Sequence, residues 1–403
     1  MRVGDASAGA ITAAFAAIAD LESELDTHLG RPCVKAEASR PLQRAAAHWS
    51  QAVWSAAEAR GPIELCEAEL SRGREVAGHP LFVCGAHRSG TTLVRDLLDG
   101  HPALAVLPSE GTFFTNLERH LQGMQLERWL PYMGQEWLRR LVNPIHQQPY
   151  WLLGRSSRES SSYVEFARAL MAWWPITRAG VGSVASSWPL VAVALAYAHC
   201  SGGLSADSGR RCWAEKTPTN ERFLSRLRAE FPHARFIHVV RHPFAVYASH
   251  KQAAQRAGER FSHATQVLRD LSLSYRVAAE QSRGDREDYL VIRYEDVIES
   301  MQHMAARLAA FARIELLPSL TQPTAGGLPT ISNSSFPVDA IPGRVYPTSE
   351  AARWNETLTP SERERVAAAV GTAATGLGYV VDGGAPWRLR VARLGLRITG
   401  RLP

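Results

Sequence analysis

Cysteine and long apolar runs are scarce in this chain of 403 residues, and each absence excludes a class of protein. The five cysteines are odd in number and include no C-x-x-C pair, which argues against a disulfide framework or a zinc site and favours a reducing compartment. No apolar run reaches about 18 residues, and the N-terminus lacks the basic-then-apolar order of a signal peptide. We therefore expect a cytoplasmic protein with no transmembrane segment.

Lysine is rare as well. Of the 45 basic residues, three are lysines (Lys35, Lys216 and Lys251) and 42 are arginines, a ratio that biased genomic base composition explains. The net charge of +6 is small for the length, and no Lys/Arg-rich aromatic platform accompanies it, so we expect anionic ligands and no nucleic acid. With 45% apolar and 21% charged residues, the composition excludes a disordered, collagen-like or coiled-coil chain.

Segments typical of strands and of helices alternate along the chain. Residues 1–77 carry alanines and apolar residues at helical spacing and predict about three helices. The apolar run Leu81–Cys84 predicts a buried strand, and Thr91–Asp99 predicts a helix after a glycine-rich loop. Further strands are predicted at Arg235–Val240 and Tyr289–Arg293, with helices between them. The alternation predicts an α/β fold of the P-loop type, a parallel sheet flanked by helices.

Three parts are predicted: an N-terminal helical extension (1–77), a main domain (78–382) and a basic tail (383–403). Residues 117–205 form a helical insertion in the main domain, rich in serine and tryptophan. Its tryptophans suit either a core or the wall of a ligand pocket. The tail has five arginines and no acidic residue. It is solvated or packed, it binds an anionic surface such as a membrane, or it contacts a second subunit of a homodimer.

Residues 85–92 (GAHRSGTT) follow the first strand and have two glycines in the spacing G-x4-G. The backbone N–H groups of such a loop and the N-terminus of the next helix attract anions, and Arg88 adds a cation. A nucleotide triphosphatase loop would have lysine where Thr91 stands, and a Walker-type magnesium site would have aspartate where Arg241 stands, so transfer of a γ-phosphate is disfavoured. Glu295 and Asp296 remain as metal-ligand candidates or as carboxylates at a helix start.

These motifs resemble those of the P-loop sulfotransferases that use 3′-phosphoadenosine-5′-phosphosulfate (PAPS), over roughly residues 80–382. In chain order they are residues 88–92 (RSGTT), 215–218 (EKTP), 231–236 (FPHARF), 240–243 (VRHP), Ser249, 293–296 (RYED) and 353–354 (RW). The similarity is to the bacterial and tyrosylprotein branch.

The resemblance implies in-line transfer of a sulfuryl group from PAPS, with 3′-phosphoadenosine-5′-phosphate (PAP) as product and no metal. The expected acceptor is a hydroxyl or amine of a small molecule, such as a secondary metabolite, a glycolipid or a sugar. A protein tyrosine is an alternative acceptor. Rivals of another class are a Mg²⁺-dependent P-loop phosphotransferase and a non-catalytic nucleotide-binding module.

The resemblance also assigns roles to residues. Those expected to bind the cofactor are Arg88, Ser89, Gly90, Thr91 and Thr92 at the 5′-phosphosulfate, Arg241 and Ser249 at the 3′-phosphate, Tyr294 at the nucleotide, and Ser334, Ser335 and Arg344 in a loop over the cofactor. The alternatives are a helix-surface serine for Ser249 and a core tyrosine for Tyr294.

Lys216 is the expected catalytic lysine, which stabilises the leaving phosphate together with Arg88. A compact ammonium can donate a proton to a single oxygen, which a guanidinium does not do readily. Glu110 is the expected general base, and the aromatic residues that follow it are expected to raise its pKa by desolvation. Three histidines are rival bases: His87, His101 and His120.

Overall fold

The structure is a computed structural model that describes residues 4–29, 36–142, 150–154, 161–180, 186–205, 207–284, 286–331, 341–345 and 354–382. Ser334, Ser335 and the tail at 383–403 lie outside the described residues. The predictions that concern them therefore stay predictions.

A five-stranded parallel sheet forms the centre of the fold. Its strands are β1 (Pro80–Cys84), β2 (Leu104–Val106), β3 (Cys212–Lys216), β4 (Arg235–Val240) and β5 (Tyr289–Arg293). Their order across the sheet is β2-β3-β1-β4-β5, and every neighbouring pair is parallel. The predicted fold class is thereby confirmed. A separate antiparallel hairpin joins β6 (Thr324–Ala325) to β7 (Leu328–Pro329).

Helices surround the sheet. In the described residues they are α1 (Gly4–Leu29), α2 (Ala36–Arg60), α3 (Glu67–Ala77), α4 (Thr91–Asp99), α5 (Glu118–Gln122), α6 (Trp129–Val142), α7 (Ser161–Gly180), α8 (Trp188–Cys200), α9 (Leu224–Glu230), α10 (Pro243–Arg256), α11 (Ala264–Arg283), α12 (Tyr294–Glu299), α13 (Met301–Ala312), α14 (Trp354–Thr357) and α15 (Pro360–Gly376). Among these helices, none has both the length and the apolar character needed to cross a bilayer.

The two faces of the sheet are covered by different helices because side chains alternate along each strand. Phe82 and Trp213 point into a core that includes residues of α2, α6, α7 and α8. Leu81 and Val83 point to the other face, where α4 and α13 pack. The aromatic rings of Phe82 and Phe236 stack with centroids 5.5 Å apart, which joins neighbouring strands on the first face. The central strand β1 is therefore buried on both sides, as the unbroken apolar run predicted.

The N-terminal helices and the insertion share one core. We call α1, α2, α6, α7 and α8 the helical layer, since apolar side chains of all five belong to the same buried cluster. Trp54 of α2 lies against Gly134 of α6 so closely that a Cβ there would stand 2.0 Å from the indole.

The tryptophans of the insertion pack in this layer. Trp137 and Trp173 are fully buried, and Trp151 and Trp174 nearly so. None of the four lines the cavity described in the next section. For these four the structure therefore supports the core, while Trp129 and Trp188 are half-buried and stack on each other with ring centroids 6.1 Å apart.

Candidate active site

The predicted site residues follow the carboxyl ends of different strands, which all lie at one edge of a parallel sheet. β1 leads into residues 85–90, which we call the glycine loop. β3 ends at Lys216, while Arg241 and Tyr294 directly follow β4 and β5. Glu110 follows β2 by a short segment. These groups enclose a cavity of about 200 Å³. Its walls are His87, Arg88, Gly90, Thr91, Thr92, Leu93, Glu110, Lys216, Pro218, Arg241, Ser249 and Tyr294.

Two glycines give the glycine loop its shape. Gly85 has a φ of 137°, and a Cβ there would lie 2.3 Å from the carbonyl oxygen of Val239. Gly90 has a φ of 99°, and a Cβ there would lie 2.1 Å from the ring of Tyr294. Both positions therefore require glycine for conformation and for space. α4 begins at Thr91, directly after the glycine loop, so the positive end of its dipole points into the cavity.

The side chains of the loop divide between the cavity and the loop itself. Thr91 and Thr92 line the cavity. Ser89 does not, because its hydroxyl donates to the carbonyl oxygen of Ala86 at 2.7 Å and its N–H donates to the same oxygen at 3.1 Å. Ser89 thus closes the turn of the loop from behind, and its predicted contact with a cofactor finds no support in this arrangement.

Arg88 directs a cation into the cavity from a backbone conformation with a φ of 71°. A non-glycine residue in this region is strained, and its neighbours must hold it there. Arg241 does so, since its Nη1 donates to the carbonyl oxygen of Arg88 at 3.3 Å. Burial, followed by repulsion from Arg256, lowers the pKa of Arg88. The guanidinium is still charged near neutral pH.

Arg241, Ser249 and Tyr294 come together on the other side of the loop. The guanidinium carbon of Arg241 lies 4.5 Å from the centre of the Tyr294 ring, and the Nε of Arg241 is buried without a partner among the described residues. Ser249 is buried on α10 and also lines the cavity. The structure therefore places these three side chains in the cavity wall. Ser249 is not on an exposed helix surface, and Tyr294 is not confined to the core.

Lys216 and Glu110 form an ion pair in the cavity. The Nζ of Lys216 donates to Oε1 of Glu110 at 2.6 Å, although 106 positions separate the two residues. Burial acts to raise the pKa of Glu110, but the nearby ammonium outweighs it, and the pKa lies below its usual value. The predicted upward shift is therefore wrong in its net direction. Burial lowers the pKa of Lys216, and Glu110 partly opposes that effect.

The end of β3 also fixes the backbone beside the candidate base. Oε2 of Glu215 accepts from the N–H of Gly111 at 3.2 Å and from the hydroxyl of Thr217 at 2.7 Å. Oγ1 of Thr217 accepts from the N–H of Thr112 at 2.8 Å. Burial raises the pKa of Glu215 to about 7. The strand that carries Lys216 therefore also determines the path of the chain after Glu110.

The three rival histidines lie in different places. His87 lines the cavity. Nε2 of His101 is 2.9 Å from the carbonyl oxygen of Glu315, and His101 is buried, so it acts as a structural link. Nδ1 of His120 is 3.1 Å from the carbonyl oxygen of Asn116, away from the cavity. His87 is therefore the rival base that the geometry retains.

The carboxylates considered as metal ligands stand in the first turn of α12. Oε1 of Glu295 accepts from the N–H of His242 at 2.8 Å, and Oε2 accepts from the hydroxyl of Tyr379 at 2.7 Å. Both oxygens thus bind donors of the protein itself, which fits the helix-start interpretation. Within the described part of the chain there is no cluster of three or more His, Cys, Asp or Glu side chains suited to a metal ion.

Residues 80–318 match the family model described as the sulfotransferase family. The chain belongs to the sulfotransferase family. The matched residues include the whole parallel sheet, the glycine loop and the Lys216–Glu110 pair.

Three solved structures are similar to this sulfotransferase at low identity. The sulfotransferase domain from the Synechococcus PCC 7002 olefin synthase is 18% identical, with a TM-score of 0.41, over 75% of this chain and 96% of that domain. The sulfotransferase domain from the curacin biosynthetic pathway is 21% identical, with a TM-score of 0.39, over 75% and 98%. Sulfotransferase STF1 from Mycobacterium tuberculosis H37Rv is 16% identical, with a TM-score of 0.38, over 79% and 91%. No curated protein matches the chain.

Some site residues of the sulfotransferase were missed by the sequence analysis, and one that it named lies elsewhere. Leu93 and Pro218 line the cavity, and Glu215 fixes the backbone next to it. Glu215 and Pro218 stand in the EKTP motif at 215–218, in which the sequence analysis assigned a role only to Lys216. Arg344, a predicted cofactor contact, is exposed and does not line the cavity.

Proposed function

We propose that this sulfotransferase transfers the sulfuryl group of PAPS to a hydroxyl or amine of a small-molecule, glycolipid or sugar acceptor, with PAP as the second product. The observation that carries the proposal is the contact of 2.6 Å between Lys216 and Glu110 at the wall of a cationic cavity. A proton donor for the leaving oxygen and a proton acceptor for the attacking group stand side by side.

The donor set of the cavity fits an anionic cofactor. Three cations, Arg88, Lys216 and Arg241, line it beside the N-terminus of α4. Glu110 is the one carboxylate among the residues that line the cavity. The Nε of Arg241, buried without a partner among the described residues, is a donor available to a bound phosphate.

We infer the division of labour from these positions. Arg88, Thr91, Thr92 and the N–H groups at the start of α4 would hold the 5′-phosphosulfate. Arg241 and Ser249 would hold the 3′-phosphate, and Tyr294 would lie against the nucleotide. PAPS, when bound, supplies an activated sulfuryl group.

Lys216 would stabilise the leaving phosphate oxygen. An ammonium has three N–H donors, so Lys216 can keep its contact with Glu110 while a second N–H reaches the leaving oxygen. Its burial makes the charge effective, because little water screens it. Its lowered pKa also favours donation of a proton.

Glu110 would accept the proton of the acceptor group. Its side chain is 39% exposed, whereas that of Lys216 is 4% exposed, so the carboxylate faces the open side from which an acceptor arrives. The low pKa of Glu110 depends on the charge of Lys216. As negative charge develops on the leaving oxygen, it offsets part of the effect of the ammonium, so the pKa of Glu110 rises toward its usual value and the carboxylate becomes a stronger base.

His87 is a second candidate for the base. It lines the cavity next to the same pair, and burial lowers its pKa, so its imidazole is neutral and able to accept a proton near neutral pH. Glu110 and His87 as bases predict different effects of single variants on the rate.

Calorimetry with PAP tests the cofactor directly. We expect PAP to bind tightly and equally well with and without EDTA, and ATP with Mg²⁺ to bind more weakly. Preference for ATP with Mg²⁺ would refute the proposal and favour the phosphotransferase. Acceptor trials with small hydroxyl compounds beside a tyrosine peptide then separate the two acceptor classes.

A further inference from the structure

Arg140 of α6 contacts the chain that carries the candidate base. We call residues 110–112 the base segment. The Nη1 of Arg140 donates to the carbonyl oxygen of Glu110 and, at 3.3 Å, to that of Gly111. Its Nη2 donates to Oγ1 of Thr112 at 3.0 Å. A single guanidinium thus binds three consecutive residues.

The position of Arg140 is itself fixed within the helical layer. Its Nε donates to Oε1 of Glu136, one turn earlier on α6, at 2.9 Å. The guanidinium carbon lies 5.2 Å from the ring centre of Trp137, which is fully buried. The side chain of Arg140 is only 15% exposed. A planar guanidinium with Trp137 on one face and Glu136 at one edge can bind several acceptors in a defined geometry, which a lysine ammonium cannot reproduce.

The base segment is therefore held from two sides. Its N–H groups at Gly111 and Thr112 donate to side chains at the end of β3, and its carbonyl groups accept from Arg140. The bonds from β3 fix the segment relative to Lys216. The bonds from α6 fix it relative to the helical layer. The helices of that layer lie outside the parallel sheet and come from the 117–205 insertion and the N-terminal extension.

We propose that Arg140 is a positioning residue that fixes the base segment so that the carboxylate of Glu110 stays against Lys216 and toward the acceptor. The helical insertion is thereby coupled to the transfer step, although none of its described residues lines the cavity. This proposal rests on the proposed function in one respect, which is that Glu110 is the base. The hydrogen bonds of Arg140 to the base segment do not depend on that function.

The test compares Arg140→Gln and Arg140→Lys with Arg139→Gln. Arg139 is a matched control, because it pairs with the same Glu136 while, within the described residues, its guanidinium makes no bond to the base segment. We expect Arg140→Gln to lower kcat about 10- to 100-fold, since a displacement of about 1 Å in a catalytic group costs this much. The affinity for PAP and the KM for the acceptor should change less than about twofold. Arg140→Lys should recover part of the loss, and Arg139→Gln should resemble the wild type.

A second readout is independent of turnover. Glu110 is titrated by carbon NMR of side-chain-labelled glutamate, with its signal identified by its loss in Glu110→Gln. The charged or titratable groups that interact with Glu110 are Lys216 from β3, His87 and Arg88 from the glycine loop, and Arg95 from α4. If Arg140→Gln releases the base segment, Glu110 moves away from Lys216, and its pKa should rise above that of the wild type and of Arg139→Gln. The acid limb of kcat/KM should move to higher pH with it.

An unchanged titration of Glu110 in Arg140→Gln, together with a kcat like that of Arg139→Gln, would overturn the positioning role. Thermal melts show whether each variant is folded before either readout is used. Should the wild type bind no PAP and transfer no sulfuryl group while the titration still shifts in Arg140→Gln, the proposed function fails and the positioning role stands.

Discussion

A buried ammonium is costly unless an anion compensates its charge. In the Lys216–Glu110 pair the cation is enclosed and the carboxylate is partly exposed, so the two partners are not equivalent. Arg95, buried behind them, lowers the pKa of Lys216 further, while Glu110 raises it. Lys216 can therefore bind an incoming anion with its free N–H groups while Glu110, still in contact with it, faces an incoming acceptor.

Replacement of Lys216 by alanine is expected to lower turnover by about 10²–10³, because one preorganised donor to a developing oxyanion is worth this much. Lys251→Ala is the control, since Lys251 pairs with Glu362 of α15 at 2.8 Å and stands outside the cavity wall. Steady-state rates with PAPS and any working acceptor provide the measurement. Near-normal turnover of Lys216→Ala would remove Lys216 from the mechanism.

The pH dependence of kcat/KM separates the two candidate bases. A base works above its pKa, and Lys216 holds the pKa of Glu110 below its usual value, so a Glu110-dependent rate should persist to a pH below the usual glutamate range. A His87-dependent rate should fall at higher pH, although below the usual histidine value because burial lowers its pKa. Glu110→Gln should reduce the rate about 10²- to 10⁴-fold and His87→Gln much less. The reverse ranking would identify His87 as the base.

At the scale of elements, the sequence predicted the apolar strands of five or six residues and missed the very short β2 and the partly charged β3. β1, β4 and β5 read as apolar runs and were located to within a residue of their observed bounds. β2 has only three residues, and β3 (CWAEK) ends in two charged residues, so neither has a clear strand pattern. Glu215 can lie in a buried strand because Thr217 and Asn220, which follow it closely, donate to its carboxylate. Lys216 can do so because Glu110, 106 positions away, accepts from its ammonium.

The candidate site was nonetheless predictable to a large extent, because its residues lie in short local motifs next to the strand ends. Glu110, Lys216, Arg241 and Tyr294 all line one cavity, as the resemblance implied. The net pKa shift of Glu110 was not predictable, since it depends on a contact with a residue 106 positions away. The orientation of the Ser89 hydroxyl was equally unpredictable, because the turn geometry determines that it donates to the carbonyl oxygen of Ala86 and not to a ligand.

Gly90→Ala tests the glycine loop as an element. The added Cβ would meet the ring of Tyr294, and the φ of 99° would be strained for alanine. Strain of roughly 1–3 kcal/mol in the binding conformation corresponds to about a 5- to 150-fold loss of PAP affinity by calorimetry. Gly371→Ala in α15 is the control, because a Cβ there meets no atom within 4 Å. Unchanged PAP affinity in Gly90→Ala would place the cofactor outside the glycine loop.

At the scale of the whole molecule, the site depends on how three packed units meet. One core joins the helical layer to the first face of the sheet, a second packs α4 and α13 on the other face, and a third packs α10, α11 and α15 beside β4. The cavity lies where the strand ends emerge between these units. Residues 1–77 and 117–205, which the sequence analysis separated, contribute to the same core, so we expect them to unfold together with the sheet.

Trp54→Ala tests this cooperativity. The indole is 2% exposed and lies against Gly134 of α6, so its removal leaves a cavity between the N-terminal helices and the insertion. A large-to-small change of this kind costs about 3–5 kcal/mol. Because the core is continuous from α1 to β1, scanning calorimetry should show one transition at a lower temperature. Leu316→Ala, at a side chain that is 55% exposed, should leave the transition in place. If Trp54→Ala instead splits the transition into two, the sheet should melt at the wild-type temperature and PAP should raise only the upper Tm. That result would show that the N-terminal helices unfold as an independent unit.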